Sequence, residues 1–186
     1  MPFVRGQIRD QLNALAQQGI FIGTSSWKYS GWCGMLYEAA RYEWRGKFAQ
    51  SRFERNCLAE YASVFKTVCV DGAYYAFPTR QSLESLASQV PPDFQFALKV
   101  TDEITIKTFP NFDRFGERAG RNNEHFLNAD LFASSFLEPC EVLRPRTGLL
   151  IFEFSRFQPW EYAHGSQFVA DLDAFLAKIP KGWPYG

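Results

Sequence analysis

Thr67-Val-Cys-Val-Asp-Gly-Ala-Tyr-Tyr-Ala-Phe-Pro78 is the stretch on which the fold turns. Thr67 to Val70 is β-branched and apolar, the pattern of a short buried strand. Asp71 stands at its carboxyl end and Gly72 breaks the run. Tyr74, Tyr75 and Phe77 crowd the turn before Pro78 closes it. Thr79 can then cap a helix that places Leu83, Leu86, Ala87 and Val90 on its buried side. A strand that hands over to a helix through a polar and aromatic loop is the unit from which α/β proteins build sites.

The same alternation repeats on both sides of this unit. Ile8, Leu12 and Leu15 mark one face of a short helix that Gly19 stops, and Ile20 to Thr24 follows as a first strand. Next come the polar-aromatic loop Ser25-Ser-Trp-Lys-Tyr-Ser-Gly-Trp-Cys-Gly34 and a helix near Arg52 to Val64. Beyond Pro91-Pro92, Phe94 to Thr101 reads as a third strand with Lys99 inside it. Asp102 to Asn128 is polar and too long for a plain connector. Phe132, Phe136, Cys140 and Leu143 predict a crossover helix, and Gly148 opens a fourth strand, Leu149 to Phe154. Phe168, Leu172, Phe175, Leu176 and Ile179 predict a last helix, and Pro180 to Gly186 a turn into another strand. Strand–helix units in strict alternation imply parallel strands joined by right-handed crossovers, here in one domain over residues 1–186. Pattern alone leaves two architectures, an open doubly wound sheet or part of a (β/α)8 barrel. No G-x-G-x-x-G follows the first strand and no G-x-x-x-x-G-K occurs, so nucleotide-binding versions lose their main signature.

Composition narrows the classes. Hydrophobic residues make up 46% and charged residues 22% of the 186, as in ordinary globular domains. Lys plus Arg equals Asp plus Glu at 20 each, which argues against a dominant nucleic-acid footprint while leaving room for a local basic patch. Cys33, Cys57, Cys69 and Cys140 contain no C-x-x-C pair, and only two histidines accompany them, so neither a metal nor another cofactor is expected. They read as reduced thiols, which predicts a cytoplasmic protein. Arg5, Arg9 and Asp10 fall where a signal core would lie, and no apolar run approaches the roughly 20 residues a membrane span needs.

Several stretches, taken together, resemble one family. They are Ile22-Gly-Thr-Ser-Ser-Trp-Lys-Tyr-Ser-Gly-Trp32, Leu58-Ala-Glu-Tyr-Ala62, the opening stretch, Phe94-Gln-Phe-Ala-Leu-Lys-Val100 and Gly148-Leu-Leu-Ile-Phe-Glu-Phe154. In this order they are similar to the DUF72 (YecE-like) family, a TIM-barrel group without an established activity. The resemblance implies an α/β fold of parallel (β/α) units, about the first half of a (β/α)8 barrel of typically about 250 residues or more. The family's next strand would begin after Gly186, so the chain is expected to be incomplete at its C-terminus. Open strand edges in a half barrel would invite self-association. The chain also departs from the family. Val68-Cys-Val-Asp71 stands where many members have Val-Glu-Ile-Asn, Ala76 where arginine is common, Ile106 where many have histidine, and Glu153 where glutamine is common.

Strand alternation assigns the faces. With Phe96, Leu98 and Val100 toward the helices, Ala97, Lys99 and Thr101 face the centre. The same choice turns Cys69 and Asp71 inward in the second strand, and Ile151 and Glu153 inward in the fourth, opposite Leu150, Phe152 and Phe154. Three strands therefore deliver Asp71, Lys99 and Glu153 to one interior, where an unpaired ammonium would cost several kcal/mol. One reading is a catalytic set, a cationic anchor with two carboxylates for proton transfer. The other is an ion pair without chemistry.

Trp27, Tyr29, Trp32, Tyr74 and Tyr75 lie on loops at strand ends and could stack a flat ligand, or pack as lids on their own loops. Arg114, Arg118 and Arg121, with His125 near them, form a basic run. It can meet phosphates or be paired off by Glu117 and Glu124. His125 and His164 are too isolated for a triad, Ser25 and Ser26 lack a G-x-S-x-G setting, and Cys33 is a lone thiol in the same loop as Lys28. Three functions remain. The first is an enzyme, hydrolase or isomerase, on a phosphorylated, sugar-like or nucleic-acid substrate. The second is a non-catalytic binding module for nucleic acid or a small anionic ligand. The third is a fragment without independent function.

Overall fold

Thr67–Val70 is a strand, β2, in a sheet that also contains β1 (Gly23–Thr24), β3 (Gln95–Lys99) and β4 (Thr147–Ile151). The structure, a computed structural model, describes residues 3–186. The four strands are all parallel and lie in the order β1-β2-β3-β4. Chain neighbours are thus sheet neighbours, with no reversal of strand order among the described residues. The five longest helical segments among the described residues accompany them: α1 (Arg5–Ala16), α2 (Gln50–Ala62), α3 (Arg80–Ala87), α4 (residues 129–146) and α5 (Gly165–Lys178).

Period-two alternation decides which side of the sheet the helices cover. Val68, Val70, Phe96, Leu98 and Leu150 are buried in one cluster with Phe53, Leu58 and Tyr61 of α2, Leu83 of α3, Phe132, Phe136 and Leu143 of α4, and Phe175 of α5. Thr67, Cys69, Gln95, Ala97 and Lys99 point to the other face and stay partly open. The Tyr61 hydroxyl joins the first two strands from the helix side, accepting from the Thr24 N–H at 3.0 Å and donating to the Thr67 carbonyl at 3.0 Å. Thr79 caps α3 as its sequence position predicts. Its hydroxyl accepts from the Ser82 N–H at 3.2 Å, and Ser82 returns the contact.

Three elements differ from the pattern expected of them. The first strand keeps only Gly23 and Thr24 of the predicted Ile20 to Thr24, because Ile20, Phe21 and Ile22 find no strand partner among the described residues and remain exposed. Gly23 is required where it stands: a Cβ there would lie 2.0 Å from the Thr67 carbonyl oxygen. The fourth strand begins at Thr147 and ends at Ile151 rather than Phe154. Its register slips between Phe96 and Ala97, whose partners are Thr147 and Leu149, and Gly148 is the extra residue of the bulge. The crossover helix α4 is irregular, passing through a π-helical stretch at Phe132–Leu137 and a 3-10 stretch at Glu141–Arg146. The apolar positions that predicted it, Phe132, Phe136, Cys140 and Leu143, are nevertheless fully buried.

Two further features shape the carboxyl end of the sheet. The polar segment after β3 folds over its own small cluster of Ile106, Phe109 and Phe115. Pro184 to Gly186 run alongside β4, with the Leu150 N–H donating to the Pro184 carbonyl and the Gly186 N–H to the Leu150 carbonyl.

Candidate functional site

Three neighbouring strands end at one place. Asp71 is the residue after β2, Lys99 is the last residue of β3, and Glu153 lies two residues past β4. The Lys99 Nζ stands 2.8 Å from a Glu153 Oε2 and 3.6 Å from an Asp71 Oδ1. Glu153 therefore reaches the cluster from a loop rather than from within a strand. The side chains are 28% (Lys99), 34% (Asp71) and 54% (Glu153) exposed, so the cluster sits at an open mouth. The Glu153 hydrogen bond raises the Lys99 pKa against the opposing effect of burial, with help from the Asp71 charge. Lys99 is accordingly a permanent cation near neutral pH, suited to holding or stabilising negative charge and unsuited to acting as a base. The Cys69 thiol donates to an Asp71 Oδ1 at 3.7 Å, and burial together with that carboxylate pushes it up to about 11, which leaves it neutral and inert.

A second layer of charge surrounds the first. Thr101 donates to the Ala73 carbonyl at 2.7 Å and so ties the helical turn Gly72–Tyr75 to the end of β3. That turn carries Tyr74 and Tyr75, whose rings lie 5.7 and 5.1 Å from the Arg114 guanidinium. Burial raises the Tyr74 phenol, with a hydrogen bond from Arg114 acting the other way. Arg114 also stands 3.5 Å from a buried Asp102 carboxylate. Burial raises Asp102 as well, because Arg114 and Arg118 only partly offset the lost hydration. Glu103 holds Arg118 and, at 2.7 Å, the Nδ1 of His125.

The aromatic and basic candidates therefore divide. Arg114 and Arg118 are neutralised by Asp102 and Glu103, and not by Glu117 and Glu124 as the sequence order suggests. Arg121 is exposed and makes no ion pair among the described residues. Trp27 is buried in the core, where its carbonyl accepts from the Tyr37 hydroxyl. Tyr29 and Trp32 pack on each other at 4.5 Å, and Trp32 stacks on Tyr37, which makes this group a lid on its own loop. Tyr74 and Tyr75 are the aromatic candidates beside Arg114, and Trp27 has the Lys28 ammonium 5.4 Å over its ring and lines the cavity that holds Asp71. A cavity of 410 Å³ opens against Asp71, between Ser26 to Lys28 on one side and Phe77 and Leu83 on the other.

Sequence reasoning passed over Asp102 and Glu103, although both follow directly on a strand's carboxyl end, the position at which α/β sites gather. Burial raises the Cys33 thiol, so Lys28 does not activate it. Among the described residues no three His, Cys, Asp or Glu side chains come close enough to hold a metal ion. No described helix is long and apolar enough to cross a membrane.

A parallel sheet of βα units with charged side chains gathered beyond the carboxyl ends of its strands defines an α/β protein of the kind that carries its site on loops. The chain belongs to the DUF72 family: the model described as "Protein of unknown function DUF72" matches residues 21–186. It is similar to the solved structure of a DUF72 family protein from Enterococcus faecalis V583, at 23% identity over 69% of this chain and 45% of that one, with a TM-score of 0.48. It is also similar to a DUF72 family protein from Thermotoga maritima MSB8, at 18% identity over 89% of this chain and 54% of that one, with a TM-score of 0.49. The chain thus spans about half the length of these solved relatives. No curated protein matches it.

Proposed function

We propose that this chain carries the first half of a (β/α)8 barrel and the main charged groups of an enzyme that moves a proton on a hydroxyl-bearing, sugar-like substrate. The observation that carries this reading is the Lys99 ammonium held between Glu153 at 2.8 Å and Asp71 at 3.6 Å. Glu153 is the more exposed carboxylate and is assigned the general base. Lys99 stabilises the oxygen from which the proton departs, and Asp71 holds Lys99 in place. Two carboxylates against one ammonium leave the cluster with a formal charge of −1. That balance favours a ligand that offers hydroxyl donors over a polyanion such as nucleic acid. Arg114 and Arg118 support the same preference, since both already have acidic partners. The four free cysteines fit a reducing, cytoplasmic setting, and the open edge at β1 supports self-association.

The test is turnover by the purified protein across a panel of sugars, sugar phosphates and glycosides. Activity should fall by about a hundredfold or more in Glu153→Gln and in Lys99→Met. Turnover that survives Lys99→Met would remove the catalytic assignment.

A further inference from the structure

The loops that leave β3 and β4 enclose a second cavity of 410 Å³, which shares no lining residue with the one against Asp71. Trp160 stands on its rim. At 77% exposure it is the most exposed large apolar side chain described, and no other ring packs on it. The neighbouring aromatic residue, Phe157, is by contrast held among Phe126, Phe154, Tyr162 and Phe168. An indole left free at a cavity mouth is a platform for a ligand ring.

The cavity's polar groups suit a particular kind of ring. Arg156 lines it and makes no ion pair among the described residues. Lys107 also lines it, anchored over the Tyr162 ring at 3.4 Å and paired with Asp171 at 4.0 Å. Glu161 is the only acid in the lining, and one of its oxygens is engaged by the Gln158 N–H at 2.7 Å. Asp171 pairs with Lys107, so Arg156 is the cation that the cavity offers to a ligand, beside Glu161. The side-chain amides of Asn111 and Gln158 also line it, with no partner of their own among the described hydrogen bonds. The arrangement is one exposed aromatic face, Trp160, in a lining that also holds the buried Phe109 and the packed Phe157, with one unpaired guanidinium and two amides that can both donate and accept. A pyranose offers one apolar face for the indole and a rim of hydroxyls for the two amides.

The geometry points to a binding site for a single anionic sugar, phosphorylated or carboxylated, with its ring on Trp160, its anionic group on Arg156 and its hydroxyls on Asn111 and Gln158. A volume of 410 Å³ lies in the range of small-molecule sites and accommodates one ring with its charged substituent. Ser155 and Arg156 follow Glu153 by two and three residues, so the site adjoins the charged cluster. It does not depend on that cluster doing chemistry.

Calorimetric titration of the full chain with glucose 6-phosphate, glucuronate, glucose, AMP and inorganic phosphate tests it, since heat of binding is read without turnover. Glucose 6-phosphate or glucuronate should bind at least about tenfold more tightly than glucose or phosphate, and which of the two binds tells phosphate from carboxylate. Trp160→Ala and Arg156→Met should each weaken that binding about tenfold or more. Trp160→Phe should retain most of it, and the exposed positions should leave the melting temperature unchanged. Absence of binding by both sugars, affinity unchanged in either variant, phosphate binding as tightly as the sugar acids, or AMP outcompeting both would each overturn the assignment.

Discussion

Lys99→Met separates a working ammonium from a structural one, because the two roles predict different magnitudes. A pair of unit charges about 4 Å apart attracts by about 4 kcal/mol at the effective dielectric of a protein surface. Solvent screens much of that here: the three side chains are 28%, 34% and 54% exposed, which puts each pair in the class worth roughly 0.2–1 kcal/mol. Removing the ammonium also leaves Asp71 and Glu153 facing each other, while the methionine keeps most of the buried stem. The net expectation is a loss of about 1 kcal/mol and a fall in melting temperature of about 2–4 °C. The pH dependence follows from the raised Lys99 pKa. The contribution is fully present below the ordinary lysine value and is lost as pH rises through the raised one, so the wild-type advantage is flat around neutrality. Urea unfolding followed by circular dichroism measures it. A loss of 3 kcal/mol or more would make Lys99 a keystone of the fold and refute the view that its charge is held ready for a ligand.

Two further substitutions examine charges that the fold itself uses. Glu60 is buried, accepting from the Arg5 guanidinium at 3.0 Å, the Tyr42 hydroxyl at 2.9 Å and the Glu38 N–H at 3.2 Å. Glu60→Gln should cost about 1–3 kcal/mol in urea unfolding, since charged acceptors become a neutral one and a donor faces donors; unchanged stability would show that this carboxylate does not hold α1 to α2. Asp102→Asn should act in the opposite direction. Burial holds the Asp102 pKa above its ordinary value, so ionisation costs stability as pH rises through the raised pKa, despite Arg114 and Arg118 beside it and with Glu103 adding repulsion. The variant should be the more stable at neutral pH, with the gap closing as pH falls toward about 3.8; a less stable variant at pH 7 would mean that the pair with Arg114 outweighs the burial.

Strands and their faces were legible in the sequence because a period of two is a local property. Val68 and Val70 against Cys69, and Phe96 and Leu98 against Ala97 and Lys99, alternate without reference to anything distant. Burial follows that alternation residue by residue. Strand lengths were less legible, because they depend on neighbours. Ile20 to Ile22 have the composition of a strand, but a strand lasts only while a partner continues beside it, and β2 pairs with Gly23 and Thr24 alone. The irregular course of α4 was likewise not readable, since the apolar spacing of Phe132, Phe136, Cys140 and Leu143 suits an α-helix as well as the π and 3-10 turns actually formed.

The candidate site divides along the same physical line. Asp71 and Lys99 occupy fixed positions at the ends of paired strands, so their approach follows from sheet geometry once the strands are known to be parallel neighbours. Arg114 and Arg118 belong to a segment whose path is set by its own small core, and that path carries them back to Asp102 and Glu103. Sequence distance pointed to Glu117 and Glu124, and folding distance chose otherwise. The consequence is chemical as well as structural. A basic run free of acidic partners would have favoured phosphates, whereas the pairing of Arg114 and Arg118 with buried and half-buried acids leaves Arg156 and Arg121 without acidic partners among the described residues near the carboxyl ends of β3 and β4. Of these two, Arg156 lines a cavity with a free aromatic face beside it. For that reason anion recognition in this chain is best sought in the loop after β4 and not in the long loop after β3.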